Sequence, residues 1–161
     1  MKLQVKQLSS TAKIPTRATE KSAGLDFYAD SIECNENVSA DLDVADNHIK
    51  ATVKPHASTK VHTGIAAAIP DGYVGLLFNR SGIAIKQNLR LTNCVGVIDS
   101  DYRGEIIAAF TSDSDKDQII TIGDRVAQLV IVKAELVDVE LVKELDKTER
   151  GEGGFGSTGK Q

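Results

Sequence analysis

Short apolar and β-branched runs recur along the chain with turn residues between them: Thr52 and Val53, then 61–69, 73–78 and 105–111. Runs of this length, rich in valine, isoleucine and threonine, predict strands. Further strands are expected at 118–122, 125–132 and 135–142, where apolar and polar residues alternate imperfectly and Gly123-Asp124 marks a turn. Only 83–87 reads as a short helix. So many short strands must close or stack to hide their edges, which predicts an all-β barrel or jelly roll.

Two segments break the pattern. Residues 30–56 are polar and acidic, with Asp41, Asp43 and Asp46 near one another, and read as an elaborated hairpin or a mobile loop. From Asp146 onward the chain turns glycine-rich, with five glycines and Phe155 between Arg150 and Gly159. Such a stretch is poorly suited to strand or helix and reads as a flexible arm, or more blandly as a disordered tail. The expected division is a β domain over 1–145, with 30–56 as an insert, and an arm over 146–161.

Composition narrows the class. A chain of 161 residues with 41% hydrophobic residues can bury one core and is too short for two comfortable domains. No run approaches the roughly eighteen apolar residues that would span a bilayer, and no secretory leader is seen, so a soluble, unexported protein is expected. Cys34 and Cys94 stand far apart with no second cysteine at metal or redox spacing, which fits a reducing cytoplasm. A net charge of −4 argues against generic binding to nucleic acid. Any phosphate ligand must meet locally clustered arginines.

Three stretches offer chemistry. Arg80-Ser81-Gly82 follows an apolar strand and precedes the short helix, where an arginine fork, a hydroxyl and backbone N–H groups could grip a phosphate. An arginine in a surface turn is the plainer reading. From Gly96 to Gly104 an apolar strand runs into a turn and back out, a hairpin that exposes backbone groups and presents Asp99. Asp99 is a candidate general base, although turn aspartates commonly satisfy only their own backbone. Gly123-Asp124-Arg125-Val126-Ala127-Gln128 adds another arginine and an amide at the start of a strand. His48, His56 and His62 lack ligand spacing and read as loop or surface residues. The acidic trio lacks the glycine and terminal glutamate of a calcium loop.

In their order, these stretches resemble the motifs of the trimeric dUTPase family. Ser22-Ala23-Gly24-Leu25-Asp26-Phe27-Tyr28-Ala29 looks like the first motif, Arg80-Ser81-Gly82 the second, 96–105 the third, 123–128 the fourth and 150–159 the fifth. The resemblance implies a distorted jelly-roll β-barrel with one short helix and a flexible arm, assembled as a homotrimer with shared active sites. It implies hydrolysis of dUTP to dUMP and pyrophosphate by water attack on the α-phosphorus, which keeps uracil out of DNA and supplies dUMP for thymidylate synthesis. Uracil would be read by main-chain groups around Asn93, Val97, Ile98 and Ile107. Tyr102 would lie against the deoxyribose where a 2′-hydroxyl would otherwise sit. Asp99 would activate the water. Arg80, Ser81 and Gly82 would contact the phosphate chain, and Gln128 the α-phosphate and water. Mg2+ would ride on the triphosphate and meet Asp26 through water. The arm would close as a lid, with Phe155 stacked on uracil, Arg150 on phosphate, and Gly156, Ser157 and Thr158 as donors.

There are departures from the family pattern. Asn79 stands where the second motif usually begins with proline, which is expected to loosen the turn. The stretch 30–56 is longer than in compact bacterial members, and no family role carries onto it. Two other readings stay open: a dCTP deaminase-like enzyme of the same superfamily, and a regulatory binding protein on the same scaffold, with 30–56 as its contact surface.

Overall fold

A computed structural model describes residues 1–154 of the chain. Twelve strands and one helix follow in the order β1 (Gln4–Gln7), β2 (Leu25–Tyr28), β3 (Ser31–Ile32), β4 (Val38–Asp43), β5 (His48–Val53), β6 (Ser58–Ala68), β7 (Tyr73–Asn79), α1 (Ser81–Gln87), β8 (Leu89–Leu91), β9 (Val95–Ile98), β10 (Glu105–Ser112), β11 (Gln118–Thr121) and β12 (Arg125–Lys133). They form three antiparallel sheets. The first runs β1-β6-β10-β8 with β3 also on β6, the second β11-β5-β4, and the third β2-β12-β7-β9.

Period-two burial makes the core. On β10, Ile106, Ala108, Phe110 and Ser112 are buried while the residues between them are only partly so. Ile106, Ala108 and Phe110 meet Val61 and Ile65 of β6, Leu77 of β7 and Leu129 of β12 in one apolar cluster. Alternation of this kind is what a strand with one covered face requires. Among the described residues no helix is long and apolar enough to cross a membrane.

The 30–56 stretch takes the hairpin form. β4 and β5 pair from Val38 opposite Val53 to Asp43 opposite His48. Lys50 closes the tip by bonding Asp43 at 2.7 Å and Asp46 at 2.6 Å. These bonds raise the lysine pKa and lower that of Asp43. The acidic trio is thus partly a hairpin ion-pair cluster, not an open loop.

The strand expected at 135–142 does not form. β12 pairs with β7 as far as Lys133 opposite Tyr73, and Ala134 adds one bond to the Gly72 carbonyl. Past that point β7 has no residues left to pair with. Leu136, Val137, Val139 and Leu141 remain exposed, so the apolar pattern lacks a covering surface among the described residues.

Candidate active site

The third sheet brings three of the motif stretches to one end. Gln128 of β12 sits opposite both Asp26 of β2 and Phe78 of β7, and Ala127 sits opposite Asn79. A register shift between Arg125 and Ala127 turns the start of β12 toward the same place. Arg80, one residue past β7, then reaches Asp26 with Nε at 3.1 Å, and Arg125 reaches the other carboxylate oxygen with Nη1 at 3.1 Å.

The Asp26 side chain is 8% exposed, those of Arg80 and Arg125 28% and 44%. A nearly buried carboxylate therefore anchors two guanidinium groups whose outer edges stay in solvent. Each fork has five N–H donors and spends few of them here, so the rest can meet an anion. Gln128 joins the cluster by donating from Nε2 to the Asn79 carbonyl at 3.1 Å. Gly24 allows that placement, because a Cβ there would lie 2.7 Å from Gln128 Oε1. Ser81 and Gly82 are exposed at the start of α1, where the Ile83 and Ala84 N–H groups both turn back to the Arg80 carbonyl.

The turn at Asn79 is not loosened. Its side chain accepts the Arg80 N–H at 3.0 Å and donates to the Leu89 carbonyl at 2.7 Å, tying β7 to β8. An amide replaces by hydrogen bonding the stiffness that a proline ring would give.

The Asp99 stretch is a different kind of hairpin from the one expected. β9 pairs with β7, whereas β10 pairs with β6 and β8, so the two flanking strands diverge into separate sheets. Among the described residues the outer edge of β9 has no strand partner, and β8 covers β10 only from Phe110 onward. The opening is pinned at its base, where the Thr92 N–H reaches the Ala109 carbonyl at 2.9 Å. Unpaired strand edges present main-chain donors and acceptors that a planar amide-like base could satisfy. Asn93 and Val97 are exposed, Ile98 and Ile107 partly buried, along this opening.

At its mouth the Tyr102 N–H donates to the Asp99 carbonyl at 3.2 Å and closes a turn. The Asp99 carboxylate is left at the surface. Tyr102 folds over Gly104, where a Cβ would collide with its hydroxyl, and donates to the Glu105 carbonyl at 3.0 Å.

Within one chain these two groups are far apart. Ile98 lies opposite Gly75, at one end of β7, and Arg80 follows the other end. Asp99 and Arg80 are thus separated by about six residues of strand, roughly 20 Å. Arg150 is exposed in a third place, bonded through Nε to the Gly153 carbonyl at 2.8 Å. Phe155, Gly156, Ser157 and Thr158 lie outside the described residues.

Sequence reasoning left three contributors out of the site. Arg125 was visible as an arginine after a Gly-Asp turn, but its pairing with Asp26 depends on sheet order. Gly24 had no signal beyond being a glycine. His62, read as a loop or surface residue, sits within β6 with its side chain 26% exposed and bonds Glu105 through Nδ1 at 2.8 Å.

A family model described as dUTPase matches residues 30–159. A deoxyuridine 5'-triphosphate nucleotidohydrolase of Corynebacterium glutamicum is 43% identical over 159 residues, covering 98% of this chain and 95% of its own. One of the same name from Syntrophotalea carbinolica is 41% identical over 157 residues, covering 98% and 96%. Among solved structures, a mutant Staphylococcus bacteriophage 80alpha dUTPase with dUpNHpp aligns with a TM-score of 0.81 at 29% identity, covering 98% of each chain.

Proposed function

This chain belongs to the dUTPase family, and from that membership we propose a mechanism for its hydrolysis of dUTP in which Asp99 activates water. It is a hydrolase, a dUTP diphosphatase. The observation that carries the mechanism is the pair of half-sites: an arginine cluster pinned by Asp26, and an open strand edge ending at Asp99. Neither is complete alone.

Uracil lies between β9 and β10 against main-chain groups of Asn93, Val97, Ile98 and Ile107. Cytosine presents the wrong donors and acceptors there, and a thymine methyl lacks room. Tyr102 covers the deoxyribose. Arg80, Ser81, Gly82 and Arg125 neutralise the phosphate chain, and Gln128 holds the α-phosphate and water. Asp99 takes a proton from that water as its oxygen bonds the α-phosphorus; the bond to the β-phosphate oxygen breaks, and pyrophosphate leaves with dUMP as the other product.

Mg2+ fits the residues present. It keeps several waters and is commonly held by one or two carboxylates plus substrate phosphates. Asp26 is the carboxylate that both arginines bond, and each of its oxygens, already accepting from an arginine, has a second lone pair for a bridging water. When bound, the ion neutralises charge on the triphosphate.

A homotrimer with shared sites supplies what one chain separates: a distorted jelly-roll barrel over 1–145 from each subunit, and the 146–161 arm of a neighbour closing as a lid with Arg150, Phe155, Gly156, Ser157 and Thr158. The setting is cytoplasmic, where the reaction keeps uracil out of DNA and supplies dUMP for thymidylate synthesis. A second role, binding a regulatory protein with the 30–56 stretch as contact surface, is motivated by a phage 80alpha dUTPase, 29% identical to this chain, of a group that controls transfer of virulence genes.

The test is pyrophosphate release with Mg2+ from dUTP, dTTP, dCTP and UTP. Release from dUTP should far exceed the other three. Comparable rates on all four, or ammonia released from dCTP, would overturn this reading.

A further inference from the structure

Tyr102 is 42% exposed and belongs to a turn, so its ring needs an anchor if it is to judge the sugar. Among the described residues its hydroxyl has one hydrogen-bond partner, the main-chain carbonyl of Glu105. That carbonyl sits where the sheet is least regular. Glu105 lies opposite Ala66 and Ile107 opposite His62, so β6 spends two extra residues where β10 spends none. Gly64 occupies this bulge with φ +65°. Regular ladder bonds are interrupted there.

The Glu105 side chain spans the gap. One carboxylate oxygen accepts the Gly64 N–H at 2.7 Å and the other meets His62 Nδ1 at 2.8 Å. Beside it, Thr63 Oγ1 donates to the Ile106 carbonyl at 2.6 Å, in the core. We propose that Glu105 and His62 are a positioning pair for sugar discrimination, fixing the carbonyl on which the Tyr102 hydroxyl rests and so the tilt of the ring. This rests on the reading of Tyr102 as the deoxyribose platform.

The charges around His62 make the pair pH-sensitive. Glu105 of β10 faces Nδ1, and Glu33, just past β3, faces Nε2 at 3.4 Å. Lys60 of β6 shares Glu33 at 3.2 Å. Asp30, close to Gly64, is taken by the Ser9 and Thr11 hydroxyls at 2.7 Å each. β1 brings only Lys6, opposite Ala66 and beyond the bulge. The hydrogen bond to Glu105, and then the neighbouring carboxylates, raise the His62 pKa above the ordinary histidine value against some desolvation. The pair is therefore charge-assisted below the titration of His62 and weakens as pH rises through it.

The experiment measures kcat and KM for dUTP and UTP with Mg2+ across the titration of His62, in the wild type and in variants. Glu105→Ala should lower the dUTP/UTP ratio of kcat/KM by about threefold to tenfold, the worth of one hydrogen bond. The change should fall on KM, with kcat for dUTP within about twofold. Glu105→Gln, which keeps an acceptor for the Gly64 N–H, should restore most of the ratio. The wild-type ratio should fall as pH rises, and His62→Gln should abolish that dependence. In a Tyr102→Phe background, adding Glu105→Ala should change little, because the shared hydroxyl is gone.

If Tyr102→Ala leaves the preference for dUTP intact, the platform reading fails and the proposal with it. If Tyr102→Ala removes the preference while folded Glu105→Ala and His62→Gln keep the wild-type ratio at every pH, the positioning proposal alone is overturned. A Glu105→Ala protein that loses kcat and thermal stability together, beside a His62→Gln protein with an unchanged pH profile, assigns the pair a structural role and also overturns it.

Discussion

At Asp26 a nearly buried carboxylate lies between two guanidinium groups, and its work there is arrangement. Alone, Arg80 and Arg125 would repel each other; with Asp26 between them they hold their outer donors toward solvent. Asp99 has the opposite surroundings. It is exposed at the end of an edge strand, so replacing it should cost chemistry and little stability. Asp99→Asn is expected to bind dUTP nearly normally while turnover falls about 10²- to 10⁴-fold, or about 3–5 kcal/mol. Single-turnover rates beside equilibrium binding check this. Retention of more than about half the turnover would make Asp99 a turn residue only.

β6 is the longest strand and the one most dependent on a local exception. Its register with β10 works only because Gly64 takes φ +65° and has no Cβ; one built there would lie 2.5 Å from the Ala12 Cβ and 2.9 Å from Asp30 Oδ2. Gly64→Ala should therefore destabilise the protein by about 2–4 kcal/mol, combining left-handed strain with overpacking. Denaturant midpoints measure it. A loss below about 0.5 kcal/mol would mean that β6 re-registers freely and that the bulge is not held in place.

For the whole molecule, the separation of the half-sites along β7 leads to a mixing experiment. Asp99→Asn chains and chains ending after Asp146 should each be nearly inactive. Under the proposed homotrimer, the two refolded together in equal amounts should form mixed trimers in which a working site takes Asp99 from a truncated chain and an arm from an Asp99→Asn chain. Each condition is met with a chance of about one half, so roughly a quarter of all sites should recover. Mixed trimers as inactive as their parents would exclude arms shared between subunits. The exposed Leu136, Val137, Val139 and Leu141 belong to the same question, since they lie between β12 and the residues that the proposal assigns to the arm.

Local patterning determined the all-β class, the positions of β6, β7, β10 and β12 and the short helix, because strand period and turn chemistry are written within a few neighbouring residues. The sequence also carried the family motifs, whose residue identities survive wherever the fold puts them. What it did not carry was partnership. That 135–142 would find no strand, that the two sides of the Asp99 turn would enter different sheets, that Arg125 would share Asp26 with Arg80, and that His62 would clasp Glu105 all follow from sheet order and register. Those contacts join residues dozens of positions apart, and only the closing of the whole chain decides which edges meet and which stay open.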